Sequence, residues 1–178
     1  MSSFQPIYDR AAARKGGEPE LKKLLSGHPK TSDQLAVIPD DRYLAEMTRR
    51  VFCAGFVWNV IDNKWPNFER AFHQFDIVAN VAMHDEELEA LTSDASIVRN
   101  GQKIFTVREN ARFIQSITAE HGSFGRFLGD WPASDQVGLL AILKKRGKRL
   151  GGNTSQYLIR FIGKDSFILS KDVIATLV

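Results

Sequence analysis

The 178-residue chain has a single cysteine, Cys53. That excludes an internal disulfide and any zinc knuckle built from several cysteines. The four histidines (His28, His73, His84, His121) are scattered at spacings unsuited to a ligand set, and no His or Cys follows His121. No metal and no cofactor are expected. No run of eighteen apolar residues occurs, so no membrane-spanning helix is expected. The opening residues, MSSFQPIYDRAAARKGG, lack the apolar core and cleavage site of a signal peptide, and Asp9 argues against a transit peptide. Cytoplasm is the expected compartment. Acid is missing from one long stretch: between Leu139 and Lys164 seven basic residues stand without an Asp or Glu (Lys144, Lys145, Arg146, Lys148, Arg149, Arg160, Lys164).

About 43% of the chain is hydrophobic and 25% charged, the profile of a globular protein with a real core, as one domain or two small ones. The net charge of +3 hides an asymmetry, because acids gather in HDEELE (84–89) and bases beyond Leu139. A basic block beside glycines is how a phosphate-binding surface looks, and a solvated basic face reads the same way.

Along the chain, residues 1–38 read as an irregular polar arm with one short helix around PELKKLL (19–25), and residues 39–178 as a helical domain. Asp40 or Asp41 offers a cap to a helix carrying Tyr43, Leu44 and Met47 on its stripe. That helix is expected to run on through RRVFCAGFVW to about Ile61, because the apolar stretch is too long for a strand, and to stop at DNKWP. Short helices are expected after Asp76 and Asp85 as caps. A longer one, Lys103 to about Glu120, follows with Ile104, Val107, Ala111, Ile114 and Ile117 on one face. HGSFGRFLGDWP reads as a loop with a short helix. SDQVGLLAILKKRG reads as a helix capped by Ser134 and stopped by Gly147, NTSQYLIRFIG as its successor, and SKDVIATL as a last helix. The chain ends on ATLV without a polar cap, which points to a continuation. The expected class is all-α.

Helix, KKRGKRLGG, helix is the layout of a helix-hairpin-helix nucleic-acid clamp. Gly147 would permit a left-handed exit from the first helix. Gly151 and Gly152 would let backbone approach a partner, and the free N–H groups from Asn153 onward would form an anion site flanked by Lys148 and Arg149. Such contacts hold duplex phosphates without reading sequence. An ordinary glycine-stopped helix pair with a basic surface fits the same residues.

The stretch from Phe68 to Arg112 resembles the 3-methyladenine DNA glycosylase I (Tag) family, with its F-x-x-F-D segment, its M-x-x-x-D/E-x-x-L-x-x-D-x-x-I-I-R-x-x-x-K-I stretch and its N-A-R. The matching residues are Phe72, Phe75, Asp76, Met83, Leu88, Leu91, Asp94, Ile97, Arg99, Lys103, Ile104, Asn110, Ala111 and Arg112. LAEM (44–47) and AGFVW (54–58) upstream and LKKRGKRLGGNT downstream extend the likeness over roughly residues 39–165. It implies an all-α helix-hairpin-helix DNA glycosylase fold and removal of alkylated purines from double-stranded DNA, the damaged base being flipped into a pocket. The resemblance places Trp58 against the base, Gly55 and Phe56 in the gap left behind, and Gly147–Asn153 on the backbone. It also implies a monomer in the bacterial cytoplasm or nucleoid. Strand-cutting relatives in the wider superfamily carry a lysine at the start of the second hairpin helix. NTSQYLIRF has none, so no lyase step is expected.

Three departures stand out. The family's structural zinc ligands have no counterpart. The pocket glutamate four residues before the family's A-G is replaced by Arg50, which could meet a carboxylate, a phosphate or a neutral oxidised base, or simply pair with Glu46 one turn back. The aromatic D-x-E-W-G segment is missing, leaving Tyr43 or Tyr8 as substitutes. For a catalytic carboxylate the candidates are Asp172, which fits the superfamily's spacing after the hairpin, and Asp165; Asp172 reads equally as a helix-starting residue. His73 reads as a structural histidine, and Trp65 and Trp131 as packing anchors. A protein that kept the clamp and lost the chemistry, or a protein-interaction module, are the rival readings.

Overall fold

The computed structural model describes residues 4–25 and 27–177. They are mainly helical, with no strand among them. The chain forms two compact units, one made of its two ends (residues 1–29 and 169–178) and one of residues 30–168.

The first unit holds α1 (Gln5–Arg14), α2 (Glu18–Leu24) and α12 (Lys171–Leu177). The N-terminal arm is therefore mostly helical rather than irregular. Ala12 and Leu21 are its buried residues on α1 and α2.

The second unit runs α3 (Ser32–Ala36), α4 (Asp40–Cys53), α5 (Trp58–Ala71), a 3-10 turn at His73–Phe75, α6 (Ile77–Ala82), α7 (Asp85–Leu91), α8 (Gly101–His121), α9 (Phe124–Asp130), α10 (Gln136–Arg146) and α11 (Asn153–Ile162). Its centre is α8, whose Ile104, Val107, Ala111, Ile114 and Ile117 are fully buried on one stripe. Asn100 caps its start by accepting the Lys103 N–H, and Gly122 closes its end at φ +86.

Several local expectations are corrected. The helix expected from Asp41 to Ile61 is two helices, broken at Ala54–Val57. Density of apolar residues concealed the break; Gly55, at φ +74, is where the chain leaves the helix. Pro66 does not stop α5 but lies inside it. Packing outweighs the lost hydrogen bond there, because Trp65, Phe68, Phe72 and Phe75 form a stacked aromatic series and Arg49 covers Trp65 at 4.6 Å. Asp135, not Ser134, caps α10, and His84, not Asp85, is the cap position of α7. Asp76 does cap α6, accepting the Ala79 N–H at 2.8 Å. Asp40 sits in the first turn of α4 and accepts instead from the Phe124 N–H (2.9 Å) and the Thr118 hydroxyl (2.5 Å), joining α4 to α8 and α9.

Tyr43 is 1% exposed, lies against Phe124 and donates its hydroxyl to Leu35 O at 2.8 Å. Burial, then the charge of Asp40, raises its pKa well above the ordinary phenol value. The folded state thus keeps a proton that the unfolded chain loses near pH 10, so this stabilisation is complete below pH 10 and fades above it. Denaturant titrations of wild type and Tyr43→Phe should therefore diverge above about pH 10, the wild type losing about 1.4 kcal/mol more per pH unit. Parallel curves would remove Tyr43 as the cause.

Candidate functional site

The break between α4 and α5 and the turn between α10 and α11 border one cavity of about 330 Å³. The last turn of α4 contributes Arg50 and Cys53, the break Ala54 and Gly55, the start of α5 Trp58, and the first turns of α11 Asn153, Thr154 and Tyr157. Its volume is at the low end for small-molecule sites, suited to one flat ring system. Trp58, 38% exposed, meets Tyr157 and Phe161 edge to face, with centroids 5.5 and 5.6 Å away.

Arg50 is only 6% exposed. Its guanidinium lies 4.0 Å from the centroid of Phe161 and 5.0 Å from that of Trp58. Nε is 2.8 Å from Glu46 Oε1, the pair expected one turn back, but out of line for a hydrogen bond. Nη1 is buried with no partner. Burial holds the Glu46 carboxyl above its ordinary pKa, although Arg50 and Arg49 pull it down.

Both turns are fastened to α8. Lys103, buried in its first turn, donates to Phe52 O (3.1 Å) and Ala54 O (2.7 Å), satisfying carbonyls at the end of α4, and lies 5.2 Å from the ring of Phe56. Burial, then the charge of Arg149, lowers its pKa from the ordinary lysine value. Asn110, fully buried two turns further on, clasps the backbone of Lys148: its amide donates to Lys148 O (3.1 Å), and its oxygen accepts the Lys148 N–H (2.7 Å). Gln102 accepts a hydrogen bond from Arg149.

In the α10–α11 turn, Gly147 is extended (φ −86, ψ 151) rather than left-handed. A side chain there would strike Leu150, which plugs the turn into the core. The left-handed positions are Arg149 and Gly152, both at φ +58. No side chain caps α11, which starts beside the exposed Gly152 and Asn153, and the Thr154 N–H donates to Gly151 O at 3.3 Å. Arg146 is taken up by Glu120 and Ser116, and Lys164 is buried, donating to Trp131 O. Lys144, Lys145, Lys148 and Arg160 keep exposed charges.

Of the residues singled out from sequence, Arg50, Trp58, Gly55 and Asn153 line the cavity. Phe56 stands exposed beside Gly55, and Lys148, Arg149, Gly151 and Gly152 form the adjoining turn. Tyr43 is not brought there; it is a core residue. Tyr8 instead donates to Glu18 within the unit of the chain ends. Asp165 lines a different depression with Lys164 and Trp131, and Asp172 is the second residue of α12, beside Phe4 and Val173. Among the described residues no carboxylate lines the cavity itself. His73 pairs with Glu87 at 2.9 Å. Among the described residues no three of His, Cys, Asp and Glu gather as metal ligands. Tyr157 and Phe161 were missed, although their i, i+4 spacing on α11 was a signal for an aromatic wall. In the sequence Lys103 and Asn110 stand out only as family matches, with nothing local to show what they hold.

An all-α unit with a base-sized cavity between a glycine turn and a basic hairpin is a DNA glycosylase fold. Residues 36–139 match the model of the methyladenine glycosylase family, and the chain belongs to that family. It is 32% identical over 122 residues to DNA-3-methyladenine glycosylase 1 of Escherichia coli (strain K12), an alignment covering 58% of this chain and 65% of that protein. A crystal structure of 3-methyladenine DNA glycosylase I is 26% identical, with a TM-score of 0.62 over 77% of this chain and 82% of the other. The Staphylococcus aureus 3-methyladenine DNA glycosylase I, at 19% identity, shares the fold with a TM-score of 0.65 over 90% of this chain and 93% of its own. No described helix is long and apolar enough to cross a membrane.

Proposed function

We propose that the chain is a base excision repair glycosylase that acts as a monomer in the cytoplasm. It takes a modified purine from double-stranded DNA into the cavity and hydrolyses the N-glycosidic bond without cutting the strand. The observation that carries this is the fastening of both surface turns to one helix. Lys103 and Asn110 on α8 hold the Gly55–Phe56 turn and the 147–152 hairpin on either side of an aromatic cavity. A flipped base needs that arrangement: a hairpin on the backbone, a wedge at the gap and a stacking wall for the extruded ring.

In the reaction the C1′–N9 electron pair passes to the purine and neutralises the charge of an N-alkylated one, the oxygen of water bonds to C1′, and the proton lost by the water passes to solvent. An alkylated purine already carries positive charge and departs readily, so positioning and stabilisation of the sugar's cationic transition state are the remaining tasks. Asp172 and Asp165 are the carboxylates that the superfamily's spacing after the hairpin offers for this task. The lining of the cavity, which has no acid among the described residues, favours one second reading, a lesion-binding protein without chemistry.

Free-base release from duplexes carrying alkylated, deaminated or oxidised bases decides between them. The expected product is an abasic site that breaks only after alkali; binding without release of any base would establish the second reading. Reversing Lys148 and Arg149 to Glu should weaken duplex binding about tenfold or more and lower the salt slope by about two. Unchanged affinity would instead point to a protein-interaction surface.

A further inference from the structure

The unexplained feature of the cavity is the unspent hydrogen-bonding capacity of Arg50. A guanidinium presents five N–H donors in a rigid fork. Here it is more than nine-tenths buried, touches one carboxylate out of line, and leaves Nη1 without a partner. A buried donor in that condition costs free energy until an acceptor arrives. Its charge already lies against Phe161 and against Trp58, the lining ring on which a cationic base would stack.

We infer that Arg50 determines specificity in this cavity by reading the paired acceptors O6 and N7 of a 6-oxopurine. This rests on the reading of the cavity as the receptacle for a flipped base. Hypoxanthine, or a guanine modified away from O6 and N7, offers two acceptors to the fork. An adenine offers one acceptor and an amino group whose hydrogens face the arginine's own, and a fixed positive charge on an alkylated adenine adds repulsion. The same contact stabilises the electron pair that a neutral purine carries away when the glycosidic bond breaks.

Hypoxanthine and adenine differ at position 6 alone among their heavy atoms, so titration calorimetry of the two free bases isolates the contact, with 3-methyladenine as a third arm. Wild type should prefer hypoxanthine about tenfold or more. Arg50→Gln should reduce the preference to within about threefold. Arg50→Lys, which keeps the charge beside Glu46 but loses the fork, should do the same and serves if the glutamine variant does not fold. Equal or tighter binding of adenine or 3-methyladenine, no measurable binding of any base, or a preference that survives in a folded variant would each overturn the inference. Duplex release assays separate the two readings. Hypoxanthine preference without release of any base removes the glycosylase and leaves Arg50's role standing. Release of 3-methyladenine without an oxopurine preference does the reverse.

Discussion

Asn110→Ala will destabilise the protein by about 3 kcal/mol and weaken duplex binding about tenfold, although Asn110 itself is buried. Its amide closes two hydrogen bonds on the backbone of Lys148, donor to acceptor and acceptor to donor. Removing it strands an N–H and a C=O beside a fully buried side chain, each costing about 1–3 kcal/mol where water cannot replace the partner. The neighbouring Arg149 holds a left-handed conformation unfavourable to a residue with a Cβ, so this turn needs an external tie. Chemical denaturation measures the first effect and titration of a labelled duplex the second. Aspartate at 110 keeps the acceptor and loses the donor, and should fall between alanine and wild type in binding. Full duplex affinity in a folded Asn110→Ala protein would show that the hairpin needs no tie to α8.

Lys103→Met produces the other large effect, and it is local. The methionine fills the volume but leaves Phe52 O and Ala54 O without their charged donor, a loss of about 2 kcal/mol in stability. The larger consequence is that the Gly55–Phe56 turn loosens. The Phe56 N–H, now bonded to Cys53 O at 3.1 Å, should exchange with solvent about tenfold faster or more, while amides of the buried α8 stripe change only with global stability. Because Gly55 and Trp58 line the cavity, base release should fall further than the stability loss predicts. Unchanged exchange at Phe56 would show that Gly55 alone shapes the turn.

These residues also show where sequence is informative. The stripe of α8, the Asp76 cap and the pairing of Arg50 with Glu46 involve residues within a few turns of each other, and spacing and propensity suffice for such contacts. The family likeness and the all-α class were legible for the same reason, as short ordered motifs. The break at Gly55 lies hidden inside an apolar run, and Pro66 reads as a stop although an aromatic stack outweighs its one missing hydrogen bond. Gly147 reads as a left-handed helix exit, but its requirement is steric, set by a leucine three residues on.

Local chemistry therefore indicated the all-α class and where the basic hairpin lies, and the family likeness marked Arg50 as out of character for its position. Tertiary packing settled what each of those features faces. Lys103 reaches Ala54 across 49 residues and Asn110 reaches Lys148 across 38, and no spacing rule encodes either contact. Only when α4, α5 and α11 come together do Arg50, Trp58 and Tyr157 enclose one cavity, with Tyr43 and Asp165 outside it. The reason is that a helix displays its side chains by a fixed period, whereas the partner each one meets depends on how whole helices settle against a shared core.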